Sequence, residues 1–229
     1  MIYIGMDDTD MPQTRGTGHL ARQIADAIAE DCDVVGVSRH QLLRDPRVPM
    51  TKNNSSNVIH ICRASCRLEL LADRIRELML AEFIAGSDPG LCVCEAPAEQ
   101  QIAFGFRAKQ ELVTQADGTS SLGTGQCVHA CLGGTGDGII GAIAGVGLAA
   151  SGNDGRFVQI GGIRALADAE PVQSILDAGV VAVRTVDGAP VHDGIVLNCG
   201  KLRPEIIDHR PVVIVEQNSG GAWRHVRRD

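Results

Sequence analysis

The chain has 229 residues, 44% of them hydrophobic and 21% charged, a globular composition long enough for one large unit or two small ones. Its net charge is −7 and aromatics make up only 3%, which argues against a basic footprint that reads nucleic acid by base stacking. The longest apolar run, residues 138–150, is too short and too rich in glycine to span a bilayer, so no membrane partner is expected.

The start, Met1-Ile2-Tyr3-Ile4-Gly5, carries no basic and apolar signal segment. The expected location is therefore cytoplasmic, with the eight cysteines reduced. Residues 2–6 read as a short buried strand that runs into an acidic loop. From residue 18 to 30 the pattern turns helical, with Leu20, Ile24, Ala27 and Ile28 at three- and four-residue spacing. Residues 33–38 read as a strand, residues 46–57 as a proline-containing polar loop, and residues 58–62 as a further strand. An amphipathic helix is expected over residues 68–84, a strand over 91–94 and a helix over 98–114. The Gly/Ser/Thr-rich residues 117–125 mark the boundary between units. After it come a short segment at 126–132, a glycine loop and a helix from about residue 139 to 150. Strands follow at 157–163, 180–185, 195–198, 212–215 and 222–226, with a short helix at 171–178 and a hairpin signal at Asp187-Gly188. Strands and helices without regular alternation make the fold class α+β.

Asp7, Asp8 and Asp10 fall within four residues just past the first strand. Like charges so close repel unless a cation neutralises them. Mg²⁺ suits such a loop, because it takes one or two carboxylates together with substrate phosphate oxygens. Gly16-Thr17-Gly18 follows and opens a helix, whose free N–H groups and dipole favour an anion. The same residues support a plainer reading, in which Asp10 or Thr14 caps a turn and the remaining acids are solvated.

Other signals read more blandly. Gly136-Asp137-Gly138-Ile139-Ile140-Gly141 fits G-x-G-x-x-G, but the next acid, Asp154, precedes a strand instead of ending one, against a dinucleotide fold. The small residues from Gly138 to Ala149 fit a closely packed helix. Cys127-Val128-His129-Ala130-Cys131 lacks a fourth nearby metal ligand and reads as core thiols. The basic tail Arg224-His225-Arg227-Arg228 reads as a solvated cluster.

Three blocks in order resemble the archaeal tRNA(Ile) agmatidine synthetases. Met6-Asp7-Asp8-Thr9-Asp10 with His19-Leu20-Ala21 resembles their G-[IL]-D-D-T-D opening with its later Y-L-A. Leu43-Arg44-Asp45-Pro46-Arg47-Val48-Pro49 resembles R-L-N-P-x-I-P. Gly136-Asp137-Gly138-Ile139-Ile140-Gly141-Ala142-Ile143-Ala144 resembles G-R-G-L-I-G-A-L-A. The resemblance implies ATP and Mg²⁺ as cofactors and a kinase-like first site that activates a carbonyl oxygen for attack by an amine. It makes Asp7, Asp8 and Asp10 the metal and phosphate ligands and places Thr17 on the first threonine of the family's Thr-Thr pair. Gly18 and His19 replace the second threonine and the tyrosine. Asp137 replaces the arginine of the family's glycine block. The run from Met50 to Asn57 keeps one lysine, Lys52, and lacks the arginine. No counterpart of the family's OB-fold or zinc ribbon is expected within these 229 residues, and residues 165–229 resemble no block of the family.

These readings give a kinase-like nucleotide-binding unit over residues 1–115 and a mixed, ferredoxin-like unit with a β-rich tail over residues 116–229. The expected activity is ATP- and Mg²⁺-dependent phosphoryl transfer, or a ligase-like reaction, on a small-molecule substrate. Asp7, Asp8 and Thr17 carry the chemistry, Thr9, Asp10, Gly16 and Gly18 hold the nucleotide, and Arg44, Lys52, Gly136, Asp137 and Gly138 face the substrate. Two other readings stay open: a tRNA-modifying subunit that needs a partner for RNA, and a non-catalytic nucleotide-binding module. tRNA is disfavoured as a partner of this chain alone, and an oligomer is left open.

Overall fold

The structure, a computed structural model, describes residues 1–51, 53–82, 84–123, 126–197 and 201–227. The chain forms two compact units, Met1–Ser151 and Gly152–Asp229.

In the first unit, β1 (Ile2–Asp7), α1 (Thr17–Ile28), β2 (Cys32–Gln41), β3 (Ser55–Ala64), α2 (Leu68–Ala81) and β4 (Gly90–Glu95) follow one another in the βαββαβ order of a ferredoxin-like fold. α3 (Glu99–Arg107), α4 (Gln115–Ser121), β5 (Gln126–Cys131) and α5 (Gly138–Ser151) complete it. The strands lie in the order β5-β4-β1-β3-β2, and each neighbouring pair is antiparallel. β1 is the central strand and is buried on both faces, which is why Ile2, Tyr3, Ile4 and Met6 show no polar alternation. Its odd-numbered face meets α5, where a Cβ on Gly5 would lie 2.2 Å from the Ala142 carbonyl oxygen. α1 and α2 cover the opposite face, and Ile24, Ile28, Leu71 and Ile75 are fully buried there.

α5 is apolar all round because the sheet encloses one side and α3 the other. Gly145 comes down on Ser56 of β3 and Gly147 on the Gln101 carbonyl of α3, each closer than a Cβ would permit. This packing joins α5 to the N-terminal sheet, so the compact units divide after Ser151 and not at 115/116. The ferredoxin-like order accordingly runs through the first unit and not through residues 116–229. The helix expected over 98–114 stops at Arg107, and Thr114 starts α4 through a capping box with Asp117. Part of the segment expected as a boundary loop is thus helical.

Cys94 of β4 and Cys127 of β5 are register partners with Cα atoms 4.1 Å apart, and they form a disulfide. The expectation of independent reduced thiols does not hold for this pair.

The second unit contains β6 (Arg156–Ile160), β7 (Ala169–Pro171), α6 (Val172–Asp177), β8 (Ala182–Thr185), β9 (Ile195–Leu197), β10 (Glu205–Ile207), β11 (Arg210–Gln217) and β12 (Trp223–His225). β6, β10, β11, β12, β9 and β7 are successive neighbours, and β8 pairs with β11 in parallel. Val172, Ile175, Val183, Val196, Val213 and Val215 fill its core. Strands and helices mixed without regular alternation give an α+β fold, as expected.

Candidate nucleotide site

β1 delivers Asp7 to one end of the sheet. Asp7 Oδ1 accepts the Asp8 N–H at 2.9 Å. Its other oxygen lies over Gly141 of α5, where an ideal Cβ would be 1.7 Å from Oδ2. Asp7 as a whole is only half-buried, but its carboxyl is closely packed between its own loop and α5. That burial pushes the carboxyl up to about 7; the Asp8 N–H opposes the shift, Asp8 and Asp10 add to it and Arg39 opposes it. Asp8 has a left-handed backbone, with φ of 50°. Its carboxyl is raised by burial and then by the charges of Asp88, Asp10 and Asp137. Strain and like charge concentrated in one loop are features of functional sites.

The loop then folds back onto α1. The Thr17 hydroxyl donates to Asp10 Oδ1 at 3.0 Å and accepts from the Thr9 hydroxyl at 3.1 Å and the Thr9 N–H at 3.3 Å. The Thr17 N–H also points to Asp10 Oδ1, at 3.4 Å. Gly16 is the N-cap of α1 and offers no side chain, so Asp10 serves as the cap from outside the helix. The Thr51 hydroxyl donates to the other Asp10 oxygen at 3.2 Å. Thr14 closes the intervening turn on Met11. The capping reading of Asp10 and Thr14 is therefore realised in the structure.

This geometry leaves Asp7 and Asp8 as the acids whose carboxylates are not engaged with α1. Among the described residues no three His, Cys, Asp or Glu side chains are arranged to hold an ion by themselves. Asp7, Asp8 and Asp10 do not form a preassembled ligand set, because both Asp10 oxygens are taken by threonines. Gly16 needs no special backbone freedom, since a Cβ there would meet only Asp10 Oδ2, at 3.9 Å. Gly18 is more constrained: a Cβ would come within 3.0 Å of Asn57 Oδ1. That oxygen is buried and has no hydrogen-bond partner, so an unsatisfied acceptor lies beneath the first turn of α1.

The second glycine loop approaches the acidic loop from α5. Gly134 and Gly136 have φ of 58° and 88°, and the N–H groups of residues 135, 136 and 137 turn inward together. They meet the Asp88 carboxylate: Gly136 N–H at 2.8 Å, Asp137 N–H at 3.0 Å and Thr135 N–H at 3.1 Å, with the Thr135 hydroxyl at 2.6 Å. Burial acts against the Asp88 charge, but these four bonds outweigh it and hold the carboxyl below its usual range. The N–H groups of Gly136 and Asp137, expected to face a substrate, are thus occupied within the chain. Gly138 packs against backbone, where a Cβ would lie 1.9 Å from the Asp88 carbonyl oxygen. The Asp137 carboxylate accepts from Gln115 at 2.7 Å.

Arg44 is exposed and donates to Gln41 at 3.2 Å. Lys52 lies outside the described residues. Asp88, Thr51, Arg39 and Asn57 carry no motif of their own in the sequence, and Gly141 reads there only as a close-packing residue of its helix. Asp88 carried one signal: it stands just ahead of β4, the neighbour of β1, at the end of the sheet where Asp7 emerges. A cavity of about 400 Å³ lies at the other end of β1, beside Ile2, Cys62 and Arg67. None of the sequence-predicted site residues lines it.

No protein-family model and no curated protein matches the chain by sequence. Solved structures do match it. Part of the chain is similar in fold to part of TiaS, the tRNA(Ile2) agmatidine synthetase. Apo TiaS superposes with a TM-score of 0.54 at 20% identity, covering 64% of this chain and 35% of that one. The TiaS–tRNA(Ile2)–ATP complex gives 0.56 at 22% identity, over 64% and 36%. A structure described as a tRNA fluorescent labeling enzyme gives 0.53 at 23% identity, over 64% and 35%. The chain thus spans just over a third of the length of TiaS, and at these identities the likeness establishes a partial TiaS-like fold. No helix among the described residues is long and apolar enough to cross a membrane.

Proposed function

We propose that the chain is an ATP- and Mg²⁺-dependent phosphoryl-transfer or ligase-type enzyme, with its nucleotide site where the acidic loop meets α1. The observation that carries this reading is that one loop sets Asp10 on the N-terminus of α1 and keeps Asp7 and Asp8 close enough to raise one another, within a partial fold shared with an enzyme crystallised with ATP. Asp7 and Asp8 are both raised, first by burial and then by neighbouring aspartates, and a bound cation would favour their charged forms. They fit Mg²⁺ in its usual mode, in which one or two carboxylates hold an ion whose other ligands are phosphate oxygens and water. Such an ion would neutralise charge on the transferring phosphoryl group. Asp10 has a different part: it fixes the first turn of α1 by taking the Thr17 N–H and hydroxyl. Thr9 and Thr17 lock that arrangement, and Gly16 and Gly18 keep the approach clear of side chains.

The substrate is proposed to be a small molecule. Asp137 stands where the resembled family has arginine, and the chain is acidic overall. Both features disfavour a phosphate-rich partner. The second reading, a tRNA-modifying subunit, is favoured by the complex of TiaS with tRNA(Ile2). Incubation with Mg-ATP and chromatography of the nucleotide products tests the lead reading. It expects ADP or AMP to accumulate, with Asp8→Asn inactive; no product under any condition, with or without tRNA and small amines, would overturn it.

A further inference from the structure

We propose that Asp88 is a positioning residue, whose carboxylate serves as a built-in anion that folds residues 134–138 into a nest and fixes Asp137 and the start of α5 beside Asp8. Its part in catalysis rests on the nucleotide-site reading above; the nest itself does not.

Three successive N–H groups aimed at one point form the arrangement by which protein backbones hold phosphate and other anions. Here the anion is part of the chain. Asp88 takes all three N–H groups and the Thr135 hydroxyl. Its own N–H donates to the Asp8 carbonyl oxygen at 3.1 Å. One residue therefore bonds both loops, with backbone to the acidic loop and side chain to the glycine loop. The glycines follow from this. A Cβ on Gly134 would lie 2.6 Å from Asp88 Cγ, and one on Gly138 would lie 1.9 Å from the Asp88 carbonyl oxygen. Gly134 and Gly136 also supply the left-handed backbone that turns the N–H groups inward. The chain beyond the nest leads directly into α5, where Gly141 supports Asp7. Removing the Asp88 carboxylate leaves three inward N–H groups without an acceptor, and the loop must open to water.

Asp88→Ala, Asp88→Asn and the wild type test the assignment, each with and without added formate as a small replacement carboxylate. Hydrogen exchange reads the amides of residues 135–137 without nucleotide, and calorimetry reads Mg-ATP affinity. The proposal expects rapid exchange and roughly tenfold weaker Mg-ATP binding in Asp88→Ala. Formate restores both, while the wild type is insensitive to it. Asp88→Asn, which keeps an acceptor, falls between and serves as the reporter if Asp88→Ala does not fold. Equal exchange in all three proteins overturns the nest. Formate-reversible exchange with unchanged Mg-ATP affinity overturns the positioning role and leaves the nucleotide site standing. A wild type that shows the nest but ignores Mg-ATP overturns the nucleotide reading, and the positioning role with it.

Discussion

The Asp7 carboxylate rests on the bare Cα of Gly141, so close that a Cβ there would lie 1.7 Å from Oδ2. One strand end and one helix turn thus define where the acidic loop places its first charge. Gly141→Ala forces Asp7 or α5 to move, and overpacking of this kind costs about 1–3 kcal/mol. The expected result is a lower Tm, together with loss of the response to Mg-ATP. Retention of a full Mg-ATP response would show that Asp7 does not need this seat.

The raised Asp7 carboxyl also sets a pH dependence. Its folded value is about 7, against 3.8 for an unperturbed aspartate. Between those values the folded protein binds a proton that the unfolded chain has lost. Stability from this group is therefore full below about pH 4 and declines as pH rises toward 7. Asp8 is shifted in the same direction, whereas Asp88 is lowered and contributes stability that is lost only in acid. The difference between wild type and Asp7→Asn isolates the Asp7 contribution. Urea unfolding from pH 4 to 8 should show the wild type losing stability relative to Asp7→Asn as pH rises. Mg-ATP should flatten that slope.

Thr17 is predicted to act through its hydroxyl. Thr17→Val removes the donor to Asp10 and the acceptor for Thr9 while keeping the shape, and strands buried polar partners at about 1–3 kcal/mol. Thr17→Ser retains both bonds and should remain near wild type in chemical denaturation. Loss in Thr17→Ser with none in Thr17→Val would assign the effect to the methyl group.

Part of this arrangement was legible in the sequence. The apolar run of β1, the aspartates after it and the spacing of α1 are local features, and the structure shows the same strand, loop and helix. What joins them is not local. Asp88 meets partners 47 to 49 positions further along the chain, and no periodic pattern ties a turn before β4 to the glycines before α5. α5 is apolar on every side, so its sequence does not say which sheet it covers, and the division between units falls after Ser151, beyond the Gly/Ser/Thr-rich segment. α4 was hidden by its composition. Its start depends on the Thr114–Asp117 capping box, and Thr114→Ala should cost about 0.5–2 kcal/mol, readable as a fall in Tm.

The measurement that tests the central claim most directly is thermal unfolding with and without Mg-ATP, on wild type and on Asp8→Asn. Ligand at a hundred times its dissociation constant stabilises by about 2.7 kcal/mol. The account predicts a clear rise in Tm for the wild type only when Mg²⁺ and ATP are both present, and none for Asp8→Asn. A wild type that responds to no nucleoside triphosphate, or a variant that responds equally, would contradict it.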